Sequence, residues 1–377
     1  MRYIWQHIKT IIEEYKGELP LAQFLKNYFR KYPILGSRDR RVLSAMAYSW
    51  YRCHALLTLG QPTPDAVFEE KIRTCLRLCD YHFPVIFPQG DIDVPTNIIF
   101  DTEKNFPDEV PFSAGINRKD WLLSMLQQPK LFIRIRKDKG KIISSLNTKG
   151  IKFEIVTDAC LALPNGSDIE AMLPPDCYVV QDASSQQTGS FFHPKKNEEW
   201  LDCCSGAGGK SLLLKDLEPG VRLTVTDKRE SIIHNLQQRF RQYRHVLPVA
   251  HVTDVSNRNE LTAALGSKLF NHIICDAPCS GSGTWSRTPE QLHFFKPGTL
   301  ASFSALQSEI AINVSQHLKP GGTLFYITCS VFQTENEQVV AKIMQATDLK
   351  LIESHLINGI ALRADSMFIA VLQKPGL

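Results

Sequence analysis

The sequence predicts an α/β fold, with a doubly wound, largely parallel sheet in residues 177–377, preceded by a small α/β unit and a helical N-terminal domain. Beyond residue 177, apolar segments of strand length alternate with helical segments. Such alternation is typical of a parallel sheet that is covered by helices on both faces. At 377 residues the chain is also longer than most single domains, so more than one folding unit is expected.

Five strands are predicted in the C-terminal part of the chain. They cover residues 198–204, 221–227, 246–252, 270–276 and 322–329, and helices are predicted over 209–217, 229–243 and 300–317. Polar or cysteine residues stand at the carboxyl ends of these strands. Because doubly wound sheets bind their ligands at that edge, the functional residues are expected there.

The first 176 residues have a different pattern. Residues 1–112 are predicted to be mainly helical, because apolar side chains recur at three- and four-residue steps, as in the segment 21–29. Residues 113–176 are predicted to form a small α/β unit, similar to an RNA-recognition module (RRM-like). Within it, residues 131–137 alternate between apolar and polar as a strand does, and a helix and a further strand follow.

Positive charge is concentrated in both of these N-terminal regions. The net charge of the chain is only +4, but residues 1–60 contain ten Lys and Arg against four Asp and Glu, and residues 130–152 contain eight against one. Such clusters suit contacts with nucleic-acid phosphates. Charge alone does not distinguish these contacts from solvated faces, and the small α/β unit could equally be a packing adaptor.

The composition is that of a folded protein without a membrane span. Hydrophobic residues make up 43% and charged residues 22% of the chain, which argues against extensive disorder. No apolar run approaches the roughly 20 residues that span a bilayer, and the N-terminus lacks the features of a secretory signal.

The ten cysteines fit buried or catalytic thiols in a reducing cytoplasm better than a disulfide framework. Cys75 and Cys79 are predicted to be structural, no metal site is expected, and nothing indicates an obligate protein partner.

A glycine-rich turn follows the first predicted strand and precedes a helix. Small residues let the backbone pass close to a ligand, and the helix N-terminus offers unpaired N–H groups. The spacing is not that of a P-loop, but mononucleotide, dinucleotide and S-adenosylmethionine sites all use such turns. The candidate cofactor contacts in this turn are Cys204, Ser205, Gly206, Ala207, Gly208, Gly209 and Lys210.

Two carboxylates stand at the ends of the next two predicted strands. Asp227 is placed to accept hydrogen bonds from both hydroxyls of a ribose, which indicates a cofactor that carries adenosine without choosing between NAD and S-adenosylmethionine. Asp254 suits either the amino group of adenine or a helix cap. Both are candidate cofactor-binding residues.

The fourth and fifth predicted strands end in cysteine-containing segments. Asp276 is followed by Cys279, and Cys329 follows the fifth strand. Cysteines at the ends of adjacent parallel strands would face one pocket. The alternative is a pair of buried, inert thiols, but both stand beside small, turn-forming residues at the ligand-binding edge.

These segments together resemble one known family. The strings DAPCSGSG (276–283), TCS (328–330) followed by ENE (335–337), and D-x-C-x-x-x-G-G-K (202–210) are similar to motifs of the RsmB-like (Sun/Nop) family of RNA cytosine-5 methyltransferases. The resemblance extends to residues 37–41, 180–186 and 365–368, and so reaches most of the chain. One departure is Ser205-Gly206-Ala207, where the family usually has Ala-Ala-Pro, and this puts cofactor affinity in question.

The resemblance implies a Rossmann-like methyltransferase sheet, S-adenosyl-L-methionine as cofactor and RNA as partner, with the target cytosine in a single-stranded or looped segment. It implies that Cys329 is the nucleophile that adds to carbon 6 of the cytosine. Asp276, also counted among the cofactor contacts, would hydrogen-bond the base, and Cys279 would assist removal of the proton from carbon 5. Lys210 could supply positive charge near the thiolate, make a surface contact or position a carboxylate.

The resemblance favours ribosomal RNA as the substrate and leaves two alternatives. One is a methyltransferase that acts on transfer RNA or on another acceptor. The other is a non-catalytic RNA-binding assembly factor that keeps the fold. Such a factor has no use for the combination of Cys329, Cys279 and Asp276, and methyltransferases with other acceptors do not need two facing cysteines.

Overall fold

The computed structural model describes residues 2–53, 57–58, 64–81, 83, 86, 99–100 and 106–376. The chain divides into two compact units. The division into three domains at residues 112 and 176 stays a prediction. The first unit contains Met1–Val110, Asn117–Gln128 and Thr284–Pro297, and the second contains Pro111–Ile116, Pro129–Gly283 and Gly298–Leu377.

Helices form most of the first unit and cover both faces of the large sheet in the second. In chain order they are α1 (Arg2–Glu14), α2 (Leu21–Lys31), α3 (Ser37–Cys53), α4 (Pro64–Leu78), α5 (Arg118–Ser124), α6 (Lys139–Thr148), α7 (Ala183–Gln187), α8 (Gly209–Leu217), α9 (Glu230–Gln242), α10 (Arg258–Leu265), α11 (Glu290–Phe294), α12 (Thr299–Ser315) and α13 (Glu337–Ala346). Short 3-10 turns lie at Thr188–Phe191, Ser282–Thr284 and Ile360–Leu362. Within the part of the chain that the structure describes, every helix is too short or too polar to cross a lipid bilayer.

The strands form three sheets. In chain order they are β1 (Leu57–Thr58), β2 (Ile99–Phe100), β3 (Leu131–Ile135), β4 (Glu154–Thr157), β5 (Cys160–Leu163), β6 (Tyr178–Val180), β7 (Glu199–Asp202), β8 (Arg222–Asp227), β9 (Val249–Val252), β10 (Phe270–Asp276), β11 (Leu318–Thr328), β12 (Lys350–Ile357) and β13 (Met367–Gln373). Strands β1 and β2 form an antiparallel pair in the first unit.

The first unit is built around the apolar faces of α1, α2, α3 and α4. Its core includes Ile8, Leu21, Leu43 and Ile72, each fully buried. Cys75 and Cys79 are also buried there as free thiols, and the Cys79 sulfur lies 3.5 Å from that of Cys53. This packing is what a structural role for Cys75 and Cys79 requires.

The second unit contains a small antiparallel sheet of order β4-β5-β3-β6, with α6 packed on it. The basic residues of β3 and its extension are turned toward the rest of the unit. Arg134 and Arg136 both pair with Asp216 of α8, at 2.6 and 2.8 Å, and their side chains are 7% and 12% exposed. For these two arginines, the contacts favour the packing alternative over an RNA-facing role.

The large sheet has the strand order β12-β13-β11-β10-β7-β8-β9. The five strands from β11 to β9 are parallel, and β13 and β12 extend the β11 edge in antiparallel pairs. One apolar core packs α10, α12 and α13 on one face, and a second packs α8 and α9 on the other. The predicted doubly wound α/β fold is therefore confirmed, and the carboxyl ends of β7, β8, β10 and β11 meet at one edge.

All five predicted strands overlap strands of this sheet, but their bounds differ. Strand β11 begins at Leu318 rather than at 322, and β9 begins at Val249 rather than at 246. Strand β12 was not predicted, because most of its side chains are exposed and the apolar alternation of a half-buried strand is missing. Strand β12 is held by its pairing with β13. This pairing cannot be predicted from the periodicity of apolar residues.

Candidate active site

The glycine-rich turn joins β7 to α8 at the carboxyl edge of the large sheet. Gly206 and Gly208 have φ angles of +49° and +81°, in the left-handed region that favours glycine. A Cβ atom at Gly208 would lie 2.9 Å from Cγ of Leu236, so a larger residue would clash there. At Gly206 a Cβ atom would meet nothing within 4 Å. The backbone at Gly206 is therefore open to a ligand.

The other residues of the turn set its shape. The backbone N–H and the hydroxyl of Ser205 both donate to the carbonyl of Thr226, at 3.0 and 3.1 Å. The carbonyl of Ala207 accepts from Arg239, and Gly209 begins α8. Ser205, Ala207 and Gly209 therefore hold the turn in place, while Cys204 and Gly206 line the neighbouring cavity.

That cavity lies beside the turn, at the ends of β7, β8, β9 and β10. Its wall combines carboxylates on one side with apolar side chains from α12 on the other. The lining residues are Cys203, Cys204, Gly206, Asp227, Lys228, Arg229, Thr253, Asp254, Val255, Asp276, Pro278, Leu306 and Ile310. Five of the residues predicted as cofactor contacts are among them.

The carboxylates of Asp227 and Asp254 are both held by their own loops. Asp227 is 7% exposed, and its Oδ1 accepts from the backbone N–H and the guanidinium of Arg229, at 2.9 and 3.1 Å. Oδ1 of Asp254 accepts from the N–H and hydroxyl of Ser256, at 3.0 and 2.7 Å. Asn257 caps α10, which is the role that the sequence left open for Asp254. The cap alternative for Asp254 is therefore wrong.

Two buried polar atoms at this edge have no hydrogen-bond partner of ordinary geometry among the described residues. Oδ2 of Asp202 accepts from the hydroxyl of Ser211 at 2.6 Å, but Oδ1 makes no hydrogen bond of ordinary geometry within the described residues. Burial raises the pKa of Asp202 to about 7. The hydroxyl of Thr253, in the cavity wall, likewise lacks a partner among the described residues. Buried polar atoms are costly when unpaired, and the hydroxyl of Thr253 lies where a ligand in the cavity would supply the missing partner.

Lys210 and Asp276 form a buried ion pair between α8 and the end of β10. Nζ of Lys210 lies 2.9 Å from Oδ2 of Asp276, and Lys210 is 7% exposed. Burial is the largest single effect and lowers the pKa of Lys210, but the charge and hydrogen bond of Asp276 together with Cys329 and Asp202 outweigh it, so the pKa lies above its ordinary value. The Cys329 sulfur acts in the same direction as Asp276. Lys210 therefore positions a carboxylate and brings positive charge near Cys329, and the surface-contact alternative is excluded.

The two cysteines at the ends of β10 and β11 lie side by side. The sulfurs of Cys279 and Cys329 are 3.2 Å apart, and both residues are partly exposed. The hydrogen bond to Cys329 and burial raise the pKa of the Cys279 thiol well above its ordinary value. Either sulfur can be the donor in this contact, so the pair can share one proton. The inert-thiol alternative does not account for two accessible sulfurs in contact at the ligand edge.

Sequence reasoning missed three polar residues at this edge: Asp202, Thr253 and Glu335. Asp202 and Glu335 stand within the quoted motifs, but neither was assigned a role. Their burial is the signal that marks them, since Asp202 and Glu335 are fully buried and Thr253 is 7% exposed. Charged residues are almost never fully buried without a specific partner, but burial cannot be seen in one sequence.

Comparison with known proteins finds a family to which the residues of this site are similar. Residues 190–372, a little under half of the chain, match the family described as 16S rRNA methyltransferase RsmB/F. These residues resemble the methyltransferase domain of that family. The match runs from the segment before β7 to β13 and so includes the cavity, the ion pair and both cysteines. The cofactor of such a domain is S-adenosylmethionine.

Curated relatives of the domain carry the same kind of name. Ribosomal RNA small subunit methyltransferase B of Enterobacter sp. (strain 638) is 28% identical over 231 residues, which cover 59% of this chain and 52% of the relative. The protein of that name from Shewanella oneidensis is 34% identical over 173 residues, which cover 46% of this chain and 40% of the relative. The chain thus spans about half the length of the curated relatives it matches.

Solved structures share the fold. The crystal structure of PH0851 has a TM-score of 0.72 at 17% identity and covers 98% of this chain and 97% of its own. NSun6 from Pyrococcus horikoshii, solved with SFG, has a TM-score of 0.59 at 15% identity and covers 68% of this chain and 94% of its own. At these identities the likeness shows the fold.

Proposed function

We propose that this protein is an S-adenosylmethionine-dependent RNA cytosine-5 methyltransferase that acts on ribosomal RNA. The observation that carries the proposal is the pair of sulfurs, Cys279 and Cys329, 3.2 Å apart beside the Lys210–Asp276 ion pair. A methyltransferase that acts on an already nucleophilic atom needs no thiol. Carbon 5 of cytosine is a poor nucleophile and has to be activated first.

Cys329 is proposed to activate the base as a thiolate. Its sulfur forms a bond to carbon 6, and the electrons of the carbon 5–carbon 6 double bond move toward carbon 5 and the ring, which makes carbon 5 nucleophilic. A hydrogen bond from Cys279 to the neighbouring sulfur and the positive charge of Lys210 would both stabilise negative charge on the attacking sulfur. S-adenosylmethionine, when bound, supplies the methyl group.

Asp276 and Cys279 are proposed to complete the reaction. The carboxylate of Asp276, held by Lys210, is suited to accept a hydrogen bond from the amino group of the cytosine as charge develops on the ring. The proton then passes from carbon 5 to a solvent water molecule, the electron pair of the broken C–H bond restores the double bond between carbons 5 and 6, and the Cys329 thiolate departs. Cys279 assists this elimination from its position next to the departing sulfur. Because both faces of the base are used, the target has to be unstacked, as in a loop.

The activity is tested by mass spectrometry of nucleosides from RNA incubated with the protein and isotopically labelled S-adenosylmethionine. The expected product is labelled 5-methylcytidine in ribosomal RNA. Transfer RNA and DNA incubated in parallel distinguish the acceptors. Label in another nucleoside, or only in protein, would contradict the proposal, and so would the absence of any label from ribosomal RNA at every stage of subunit assembly.

Asp227 is proposed to hold the ribose of the cofactor. A charge-assisted hydrogen bond of this kind contributes about 1.5–3 kcal/mol, so Asp227→Ala should weaken cofactor binding on the order of 10- to 100-fold. Calorimetric titration with S-adenosylmethionine measures the change. Asp348→Ala, which removes an exposed carboxylate from outside the cavity, is the matched control. Equal affinity for the wild type and Asp227→Ala would count against the ribose contact.

The helical unit is proposed to contact RNA through a groove between α2 and α3. Its wall includes Lys26, Arg30, Arg40, Phe29 and Tyr48. The three basic residues are exposed or partly exposed, and no carboxylate among the described residues pairs with them. Phosphates attract such cations, and an accessible aromatic ring can stack on a base. Arg40 also donates to the carbonyl of Leu35 at 2.8 Å, so Lys26 and Arg30 are the better residues to change.

The double variant Lys26→Gln/Arg30→Gln should bind RNA more weakly in a salt-dependent way. The slope of log K against log salt should become shallower by about 1 for every phosphate that the protein no longer binds. Fluorescence anisotropy with a labelled ribosomal RNA fragment over a range of salt concentrations measures this slope. Lys196→Gln/Lys350→Gln removes the same charge from exposed positions outside the groove. If both double variants show the same slope, the groove is not the RNA-binding surface.

A further inference from the structure

Glu335 is a fully buried carboxylate between the two cysteine loops. Its Oε1 accepts from the backbone N–H of Ser280 at 2.7 Å and from Nε2 of Gln307 at 3.1 Å. Its Oε2 accepts from the hydroxyls of Ser280 and Ser330, both at 2.5 Å. One side chain therefore binds the residue that follows Cys279 and the residue that follows Cys329.

Further contacts join the same two loops. The hydroxyl of Ser282 lies 3.1 Å from that of Ser330 and accepts from the N–H of Val331 at 3.0 Å. The N–H of Gly283 donates to the carbonyl of Cys329 at 2.9 Å. Among these residues, Glu335 is the one whose single carboxylate binds both cysteine loops. Its carboxylate therefore sets the separation of the two loops most directly.

Glu335 is itself held in place from the sheet. Its carbonyl accepts from the hydroxyl of Tyr326 at 2.6 Å, and the neighbouring Asn336 accepts from the hydroxyl of Thr328 at 2.6 Å. Asn336 also donates to the carbonyl of Ser330 at 2.9 Å. The carboxylate is therefore anchored to β11 and has little freedom to follow a movement of either cysteine loop.

A packing role alone does not explain a carboxylate at this position. Within the described residues, the hydrogen-bond donors to Glu335 are all uncharged, and no Lys, Arg or His pairs with it. A buried acid without a cation is costly compared with an amide or an apolar residue. A group that must present acceptors to two loops at once, and that carries charge near a thiol, fits the position better.

We propose that Glu335 is a positioning residue that sets the distance between the Cys279 and Cys329 sulfurs. The structural part of this inference stands on the contacts above, and only its consequence for the reaction rests on the proposed function. The negative charge of Glu335 is also one of the causes that raise the pKa of Cys279, after the hydrogen bond to Cys329 and burial.

The first test measures the sulfur pair without any reaction on RNA. A short bifunctional thiol reagent should bridge Cys279 and Cys329 in the wild-type protein, and peptide mapping identifies the bridge among the other cysteines. Glu335→Gln and Ser330→Ala should each slow the bridging several-fold. Glu337→Gln, in the same motif but bonded to Ser113 at 2.8 Å, should bridge like the wild type. Thermal melting shows which variants are folded.

The second test measures turnover of the same variants. Misplacement of reacting groups by about 1 Å costs on the order of 100-fold, so kcat of Glu335→Gln should fall by about this factor while KM for RNA changes little. Its pH profile should also shift relative to wild type, because the charge near Cys279 is gone. A merely structural defect would not move the pH profile.

The outcomes separate the two proposals. If folded Glu335→Gln or Ser330→Ala bridges its cysteines at the wild-type rate, the positioning role is overturned, whatever the activity. If bridging slows but kcat and the pH profile stay at wild-type values, the link between position and catalysis is overturned. If bridging slows as expected and the wild type methylates no cytosine, the proposed function fails while the positioning role stands.

Discussion

Cys329→Ala should abolish methylation of cytosine in RNA and leave no covalent protein–RNA complex. Without this thiol no bond can form to carbon 6, and carbon 5 stays too weak a nucleophile to accept the methyl group. We expect a loss of several orders of magnitude, because removal of a nucleophile that works with its neighbours eliminates their joint contribution. Incorporation of labelled methyl groups into RNA measures the rate.

Two controls make the result specific to this thiol. Cys160→Ala removes another buried cysteine, from β5 of the small sheet, and should keep wild-type activity. Binding of S-adenosylmethionine to Cys329→Ala should be unchanged in calorimetry, because Cys329 is not among the cavity-lining residues. A folded Cys329→Ala protein that methylates RNA at the wild-type rate would overturn the assignment of the nucleophile.

Cys279→Ala should have the opposite phenotype, with the protein trapped on its RNA. Cys329 would still add to the base, but the partner that lies 3.2 Å from its sulfur and assists elimination would be missing. The covalent complex should therefore accumulate to nearly one RNA per active site, while multiple turnover falls to background. Denaturing gels with labelled RNA detect the complex, and mass spectrometry shows whether the trapped base carries a methyl group.

The double variant Cys279→Ala/Cys329→Ala is the control for this trap. It should form no complex, because the attacking sulfur is gone. A single Cys279→Ala variant that turns over normally would show that Cys279 has no part in elimination. A complex that persists in the double variant would show that another residue is attached to the RNA.

The two cysteines of the pair differ in their surroundings. Cys279 is the thiol with the strongly raised pKa, and Cys329 lies toward the Lys210–Asp276 ion pair. The sequence assigned the two roles only through family resemblance. The structure brings both sulfurs to one place, and the two single variants decide which of them attacks the base.

Much of the fold could be predicted from the sequence. Beyond residue 177, apolar segments of strand length alternate with helical segments, and this alternation predicted the parallel strands. Helix α8 was predicted with its observed bounds. Strand β12 could not be predicted, because its side chains are mostly exposed and only its pairing with β13 holds it. The periodicity of apolar residues along the sequence indicates which strands bury one face. It does not indicate an exposed edge strand that is held mainly by backbone hydrogen bonds.

Arg134 in β3 and Arg136 just after it show that a pattern of charges can suggest the wrong role. In the sequence, Arg134 and Arg136 belong to a basic stretch that suits nucleic acid. In the fold, both bind Asp216, about 80 residues further along the chain. A count of charges cannot distinguish a buried ion pair from a free cation, because the partner is brought in by tertiary packing.

The sequence by itself determined which residues stand at the ligand-binding edge. In a parallel sheet the carboxyl ends of the strands meet, so Asp227, Asp276, Cys279 and Cys329 had to lie near one another once the strands were recognised. Only the tertiary structure decided which other residues hold these side chains in place and set the charge around them. The Lys210–Asp276 ion pair and the link from Glu335 to Ser280 join residues 66 and 55 positions apart. Such contacts depend on the burial of side chains and on distances of a few ångströms between them. Neither the burial nor the distances can be read from the order of residues along the chain.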